Sequence, residues 1–360
     1  MPKTKTFNSR YGDLLRETIV PEISTYDETT LLRKPLVDMI NSNLPRRLFR
    51  YRECNEYSID AFRKNLIFFN TPNNFNDPHD CLVYFNEKLI QEHLEFVKAL
   101  PLADIISNAY KTRTLPPFFD EAFPKEMIEG IFNQPQEYFE KTINEASDIL
   151  ANYMSFVETE IREARNTVLL HFRTNPKIAC FSQSIREPLM WSYYANSHKG
   201  FALEYDFVEF VPKCDNCNNK CMNYATYELY PVVYTNKRYD ATEFAMALVS
   251  GRIFQTLGVD PKHSKFSSIP DKLALQKANT YKATCWRHEK EWRMQLHCLN
   301  KDNQQKWLYC KPKAIYFGCQ ISDVNRDILL RYAKDNDIKP YQMDEQLSKP
   351  EYKMNYLQIK

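Results

Sequence analysis

Apolar residues near the start of the chain, Leu31, Leu32, Leu36, Met39 and Ile40, recur at the spacing of one helical face until Pro45 interrupts them, which predicts a helical N-terminal segment over 1–45. A compact β-α-β pattern follows, with a strand from Leu48 to Glu53, a short helix from Ser58 to Asn65 begun by Ser58, and a strand from Leu66 to Asn70. An Asn-, Asp- and Pro-rich loop from Thr71 to Asp80 turns the chain into Cys81 to Phe85. Over 86–165 the period changes: Leu94, Val97, Leu100, Met127, Ile131, Ile143, Ile149, Leu150 and Met154 predict amphipathic helices broken near Pro116 and Pro135, read as a helical insertion.

Strand patterning returns at Ile178 to Ser182, Phe201 to Phe207, Tyr230 to Tyr234, Trp292 to His297, Lys306 to Cys310 and Ala314 to Phe317. Helices are expected at Pro188 to Ser197, Ala241 to Leu257, Lys272 to Thr284 and Asn325 to Lys334. The fold class is therefore α+β: a mixed, mainly antiparallel sheet core over 46–340, carrying the 86–165 insertion and a cysteine-rich hairpin at 210–227, with a strand-like C-terminal tail over 341–360.

Composition narrows the function classes. With 43% hydrophobic residues in 360, the chain can bury a large core, and a net charge of +2 carries no global polyanion signature. The N-terminal residues hold no apolar leader and no stretch reaches the ~18 uninterrupted apolar residues of a membrane span, so a cytoplasmic protein without a membrane partner is expected. Ten cysteines then read as reduced thiols or metal ligands. Only six glycines are present, at spacings that permit neither G-x-G-x-x-G nor a Walker phosphate loop, so a bound nucleotide must be held by side chains and strand ends.

The chemistry concentrates in three remote cassettes, 75–80, 190–200 and 286–293, each mixing aromatics with titratable or hydrogen-bonding groups, and together they predict one site. In the first, Asn76, Asp77 and Asp80 crowd around Pro78. They form either a polar shelf for a ligand or an Asx-turn that satisfies its own backbone. In the second, Trp191, Tyr194 and His198 share one helical face, able to stack on a planar ring or to serve as core, with Gly200 closing the helix. In the third, Glu289 and Glu291 point to one side of a strand start, which demands solvent, a cation such as Arg293, or a raised pKa suited to acid/base or oxocarbenium-stabilising work. A structural ion pair with Arg287 or Arg293 is the alternative. Cys214, Cys217 and Cys221 offer three thiols in eight residues for a structural zinc, with no fourth ligand nearby.

Tyr51-Arg52, Phe75-Asn76-Asp77-Pro78, Cys180-Phe181-Ser182, the 190–200 cassette, Glu289-x-Glu291-Trp292-Arg293 and Ala314 to Gly318 resemble, in order, the motifs of the bacterial family catalogued as domain of unknown function 2971. A weaker resemblance is to ADP-ribosyltransferases. It implies NAD as substrate, with Tyr51 or Arg52 on the dinucleotide, Ser182 and Tyr194 framing the nicotinamide, and Glu289 or Glu291 stabilising the oxocarbenium charge; no unique H-Y-E or R-S-E set can be fixed.

Catalytic candidates are therefore Glu289, Glu291 and His198, and ligand-binding candidates are Tyr51, Arg52, Asn76, Asp77, Asp80, Ser182, Trp191 and Tyr194. Two rivals stand beside the NAD reading. One is a metal-dependent phosphodiesterase or nuclease in which Asp77, Asp80, Glu289, Glu291 and His198 gather a divalent cation. The other is a non-enzymatic nucleotide sensor or interaction module in phage defence or stress response. A small nucleotide is the expected partner, and the sequence selects no protein or nucleic-acid target.

Overall fold

The computed structural model describes residues 6–21, 24–98, 108–114, 129–130, 132–138, 141, 147–208, 225–257, 271–298, 306–344 and 354–360. Helix α1 (Phe7–Glu17) starts at Thr6, whose side chain accepts from Ser9 N, and α2 (Tyr26–Asn43) starts with a reciprocal capping box between Thr25 and Glu28. Both pack Tyr11, Leu15, Leu36 and Ile40 into the principal core.

The α+β expectation holds. Among the described residues eight strands form one mixed, mainly antiparallel sheet, with neighbours in the order β12 (Asn355–Gln358), β11 (Lys339–Asp344), β10 (Ala314–Phe317), β4 (Phe201–Tyr205), β1 (Leu48–Arg52), β3 (Lys177–Ser182), β8 (Glu291–Cys298), β5 (Ala225–Pro231). Within it β10 and β11 run parallel. The tail expected beyond residue 340 thus forms part of the sheet, β11 spanning the expected boundary and β12 supplying the outer strand.

One junction in this sheet is weak. β1 pairs with β4 over five positions and β3 with β8 over six, yet β1 and β3 meet at the single pair Phe49↔Ser182. Ile178, further along β3, exchanges its backbone hydrogen bonds with Asn70 instead. The strands part beyond Phe49 and Ser182, and a wedge opens between them.

Around the sheet sit α3 (Glu56–Arg63), α4 (Glu87–Lys98), α5 (Ser147–Thr174), α6 (Pro188–Tyr194), α7 (Thr242–Leu257), α8 (Ala274–Thr280) and α9 (Asp323–Asp335). Val157, Ile161, Ala164, Val168 and Phe172 recur at three and four residues along α5 and meet Ala245, Met246 and Val249 of α7 in a second core.

Several local expectations are corrected. Helix α3 is capped by Asn55, whose side chain accepts from Ser58 N at 2.9 Å, so Ser58 lies inside the helix. The strand expected at Leu66 to Asn70 is only β2 (Leu66–Phe68); it leaves the main sheet to pair with β9 (Trp307–Tyr309). Cys81 to Phe85 contributes one isolated bridge, Tyr84↔Asp240. The strand expected at Tyr230 to Tyr234 divides at Val232, whose N–H donates to Glu291 O, into β5 and β6 (Val233–Thr235). The helix expected to reach Thr284 stops at Thr280, because β7 (Tyr281–Ala283) pairs with β6 and a 3₁₀ turn (Thr284–Glu289) follows. Most of the 210–227 hairpin, including Cys214, Cys217 and Cys221, lies outside the described residues.

Candidate functional site

The wedge between β1 and β3 holds a cavity of about 290 Å³, near the lower end of the range for small-molecule sites. All three cassettes reach it. Phe75, Asn76 and Asp80 come from the first, Met190, Tyr193 and Tyr194 from the second, and Glu289 and Glu291 from the third. The strands add Tyr51, Arg52 and Ser182, with Arg50, Phe49 and Phe181 beside them.

The floor is a buried charge network. Lys282 Nζ donates to Glu289 Oε2 and, at 2.9 Å, to Glu291 Oε2, and lies 3.5 Å from Asp80 Oδ2. Arg293 closes the ring, donating from Nε to Glu291 Oε1 at 2.8 Å and from Nη2 to Asp80 Oδ2 at 2.6 Å. Its Nη1 donates to Asn279 O, and its guanidinium lies 5.6 Å from the Phe75 ring centre. Burial opposes both cations, but the facing carboxylates outweigh it and hold them charged.

Three carboxylates therefore face two cations. Burial also opposes the Glu291 charge, yet Arg293 and Lys282 depress its pKa strongly. Glu289 is left with the excess: burial first, then the charge of Glu291, pushes its carboxyl up to about 7 against the pull of Lys282 and Tyr194. From the wall, Tyr194 OH donates to Glu289 Oε1 at 2.6 Å and accepts from Asn76 Nδ2 at 3.3 Å. Burial and this carboxylate raise the Tyr194 hydroxyl well above its ordinary value, so it remains a donor.

The two glutamates converge as expected, but not because they alternate along one strand. Glu289 ends the 3₁₀ turn, Lys290 adopts a left-handed φ of 46°, and Glu291 opens β8. Ser182 fixes this turn: its buried hydroxyl donates to Glu289 O at 2.6 Å and accepts from Ser184 N. Tyr51 OH donates to Ser184 O, and its ring meets Trp191 edge-on at 5.0 Å.

Other candidates lie elsewhere. Asp77 does not line the cavity; its Oδ1 accepts from His79 N at 2.9 Å, which is the Asx-turn alternative. The shared face of Trp191, Tyr194 and His198 is overturned because α6 ends at Tyr194 and Asn196, Ser197 and His198 take left-handed φ values of 46°, 52° and 67°. Trp191 is fully buried, its indole N–H donating to Ile185 O. His198 packs behind it, with Nε2 3.2 Å from Ser192 Oγ and Nδ1 3.5 Å from Cys319 Sγ, outside the cavity lining. Gly200 does not cap α6; a Cβ there would lie 2.1 Å from Arg52 O.

Among the described residues no group of three or more His, Cys, Asp or Glu side chains is arranged to hold a metal ion. Of the carboxylates in the metal reading, Asp80, Glu289 and Glu291 converge instead on Lys282 and Arg293, while Asp77 is engaged in its own turn. Sequence reasoning missed Lys282, which stands between Tyr281 and Ala283 without a motif, and Arg50, whose signal was a cation between apolar neighbours in a central strand.

Among the described residues Arg50 and Arg52 pair with no carboxylate. Arg50 Nη2 donates to Phe68 O and its guanidinium lies 5.8 Å from the Phe181 ring centre, while Arg52 Nη1 donates to Tyr51 O at 3.2 Å. Burial lowers the pKa of Arg52. The cavity thus has two poles, a titratable carboxyl at the β8 end and unneutralised guanidinium charge at the β1 end.

Fold and site together define an α+β protein with a split mixed sheet and a charge-networked, aromatic-walled cleft at the split. Residues 190–294 match the model of a family described as protein of unknown function (DUF2971). The matched segment contains Tyr194, Lys282, Glu289, Glu291 and Arg293. The β1, Phe75 to Pro78 and Ala314 to Gly318 motifs lie beyond it. No curated protein and no solved structure matches the chain.

Proposed function

We propose that the cleft is an active site acting on a glycosidic bond in a nucleotide of the NAD type, either transferring ADP-ribose in the manner of an ADP-ribosyltransferase or hydrolysing the bond. The observation that carries this reading is Glu289: a buried carboxyl lifted to about 7, hydrogen-bonded by Tyr194 and Lys282, in a cavity walled by aromatics. An ionised Glu289 faces the ribose and stabilises positive charge at C1′ as the C1′–N bond breaks and the electron pair leaves with the nicotinamide nitrogen, which becomes neutral. Water or an acceptor hydroxyl then attacks C1′ and loses its proton to the carboxylate or solvent.

Tyr194 and Lys282 position Glu289, and Tyr193, Phe75 and Phe49 supply ring-sized apolar walls. Arg50 and Arg52 supply the positive pole for the phosphate end of such a substrate. The cavity volume suits a ring with its sugar, the phosphates lying toward β1. Calorimetric titration with NAD, followed by nicotinamide release from the wild type and Glu289→Gln, tests the proposal. Saturable binding and turnover lost in the variant are expected; turnover equal in both would sink the assignment of Glu289.

A further inference from the structure

A second groove, of about 560 Å³, opens where β1, β10 and β11 begin, lined by side chains that the cleft does not use. Four cations border it: Arg47, Lys311, Lys313 and Lys339. Against them, among the described residues, stand two carboxylates, Glu204 and Asp337. Glu204 is already engaged, accepting from Arg47 Nη2 at 2.9 Å and from Tyr316 OH at 2.6 Å. The three lysines are exposed and have no carboxylate partner among the described residues, so the groove carries an excess of positive charge.

The positions of these lysines are set by the fold. Lys313 N donates to Glu204 O at 2.7 Å and Lys339 N donates to Lys313 O at 3.2 Å, so two remote segments hold their cations on one rim. Beside them stands a built aromatic wall. Tyr316 and Tyr341 stack with centroids 4.8 Å apart and planes 10° apart, and Tyr356 meets both edge-on at 5.1 and 5.4 Å. Tyr341 and Tyr356 remain half-buried at the groove. Arg47 and Arg186 lie 5.8 and 5.4 Å from the Tyr356 ring centre, fixing that ring further.

Cations spaced along a rim beside immobilised rings suit a strand of phosphates bearing planar bases, the combination by which unpaired nucleic acid is held without regard to sequence. An acidic peptide would use the lysines but leave the tyrosine wall unused. We propose that this groove binds single-stranded nucleic acid. It shares a wall with the cleft, because Phe49 lines the cleft and packs edge-on against Tyr316 at 5.6 Å. Independent of the chemistry assigned to Glu289, the groove is a site of its own.

The test is fluorescence anisotropy of the full chain with a labelled oligothymidylate of about twelve nucleotides. Binding should weaken with salt, log K falling against log salt with a slope of about −2 if three phosphates are neutralised. Lys311→Glu/Lys313→Glu/Lys339→Glu should lose at least ten-fold in affinity and Tyr341→Ala at least five-fold, with circular dichroism unchanged. The alanine variant reads the ring contribution separately from charge. Four results would each overturn the proposal: no binding at about 50 mM salt, binding unaffected by the triple charge reversal, equal binding of a polyglutamate of the same length, or equal competition by a free mononucleotide.

Discussion

Tyr194 and Glu289, ninety-five positions apart, are joined by a 2.6 Å hydrogen bond from the phenol to the carboxylate. That contact ties the end of α6 to the turn before β8 and places the raised carboxyl of Glu289 against an aromatic wall. Its consequences for pH dependence are direct.

Turnover of an NAD-type substrate should require ionised Glu289. The rate should therefore rise with pH through about 7 and level off above it. Glu289→Gln should lower the rate by about 10²–10⁴-fold. Tyr194→Phe removes a donor that favours the ionised form, so the midpoint of the profile should move up. A midpoint unmoved in Tyr194→Phe would show that Glu289 is not the titrating group.

Folding stability should carry the same signature with its own sign. Glu289 holds its proton more tightly folded than unfolded, so its contribution falls as pH climbs from the ordinary carboxyl range toward about 7, by about 3 kcal/mol. Urea unfolding at pH 5 and pH 8 measures this. The difference should shrink in Glu289→Gln, and an identical decline in both proteins would remove the raised carboxyl from the account. Glu291, depressed by Arg293 and Lys282, acts oppositely, stabilising above its unfolded pKa and losing that contribution as acid protonates it.

Lys282→Met should destabilise the fold by about 3–5 kcal/mol, because Asp80, Glu289 and Glu291 would be left buried with Arg293 as their one remaining cation. Combined with Glu289→Gln, which removes one of those charges, the same substitution should cost less. Thermal or urea unfolding of the four-member cycle decides it; strictly additive losses would mean that the two side chains do not interact.

Gly200→Ala tests the join between the α6 segment and β1. The added Cβ meets backbone, Arg52 O at 2.1 Å and Ala195 O at 3.0 Å, so no side chain can yield. A loss of about 3 kcal/mol or more is expected in urea unfolding. A cost under about 1 kcal/mol would show that the segment relaxes freely.

Much of the secondary structure was legible, because the short apolar runs of β3, β4 and β10, the alternation of β8 and the three- and four-residue period of α7 and α9 are local properties of the chain. Two of the helix boundaries were misplaced for one cause. Helix α6 stops early and the helix before β7 ends at Thr280 because nonlocal partners claim those residues: Gly318 N bonds Gly200 O, Gln320 N bonds His198 O, and β7 lies beside β6. In the site, residues within cassettes were visible as unusual local chemistry, whereas Lys282 carries no local mark and Arg50 only that of a cation between apolar neighbours.

By itself the sequence determined the α+β class, most strand and helix positions, and the three polar-aromatic segments, since each follows from periodicity and side-chain type within a few residues. Only the tertiary structure decided that β1 and β3 part after one pair, that Lys282 and Arg293 sit among Asp80, Glu289 and Glu291, and that His198 and Asp77 lie outside the cavity lining. Electrostatic position depends on burial and on partners hundreds of residues away. Those distances exist only once the chain has folded.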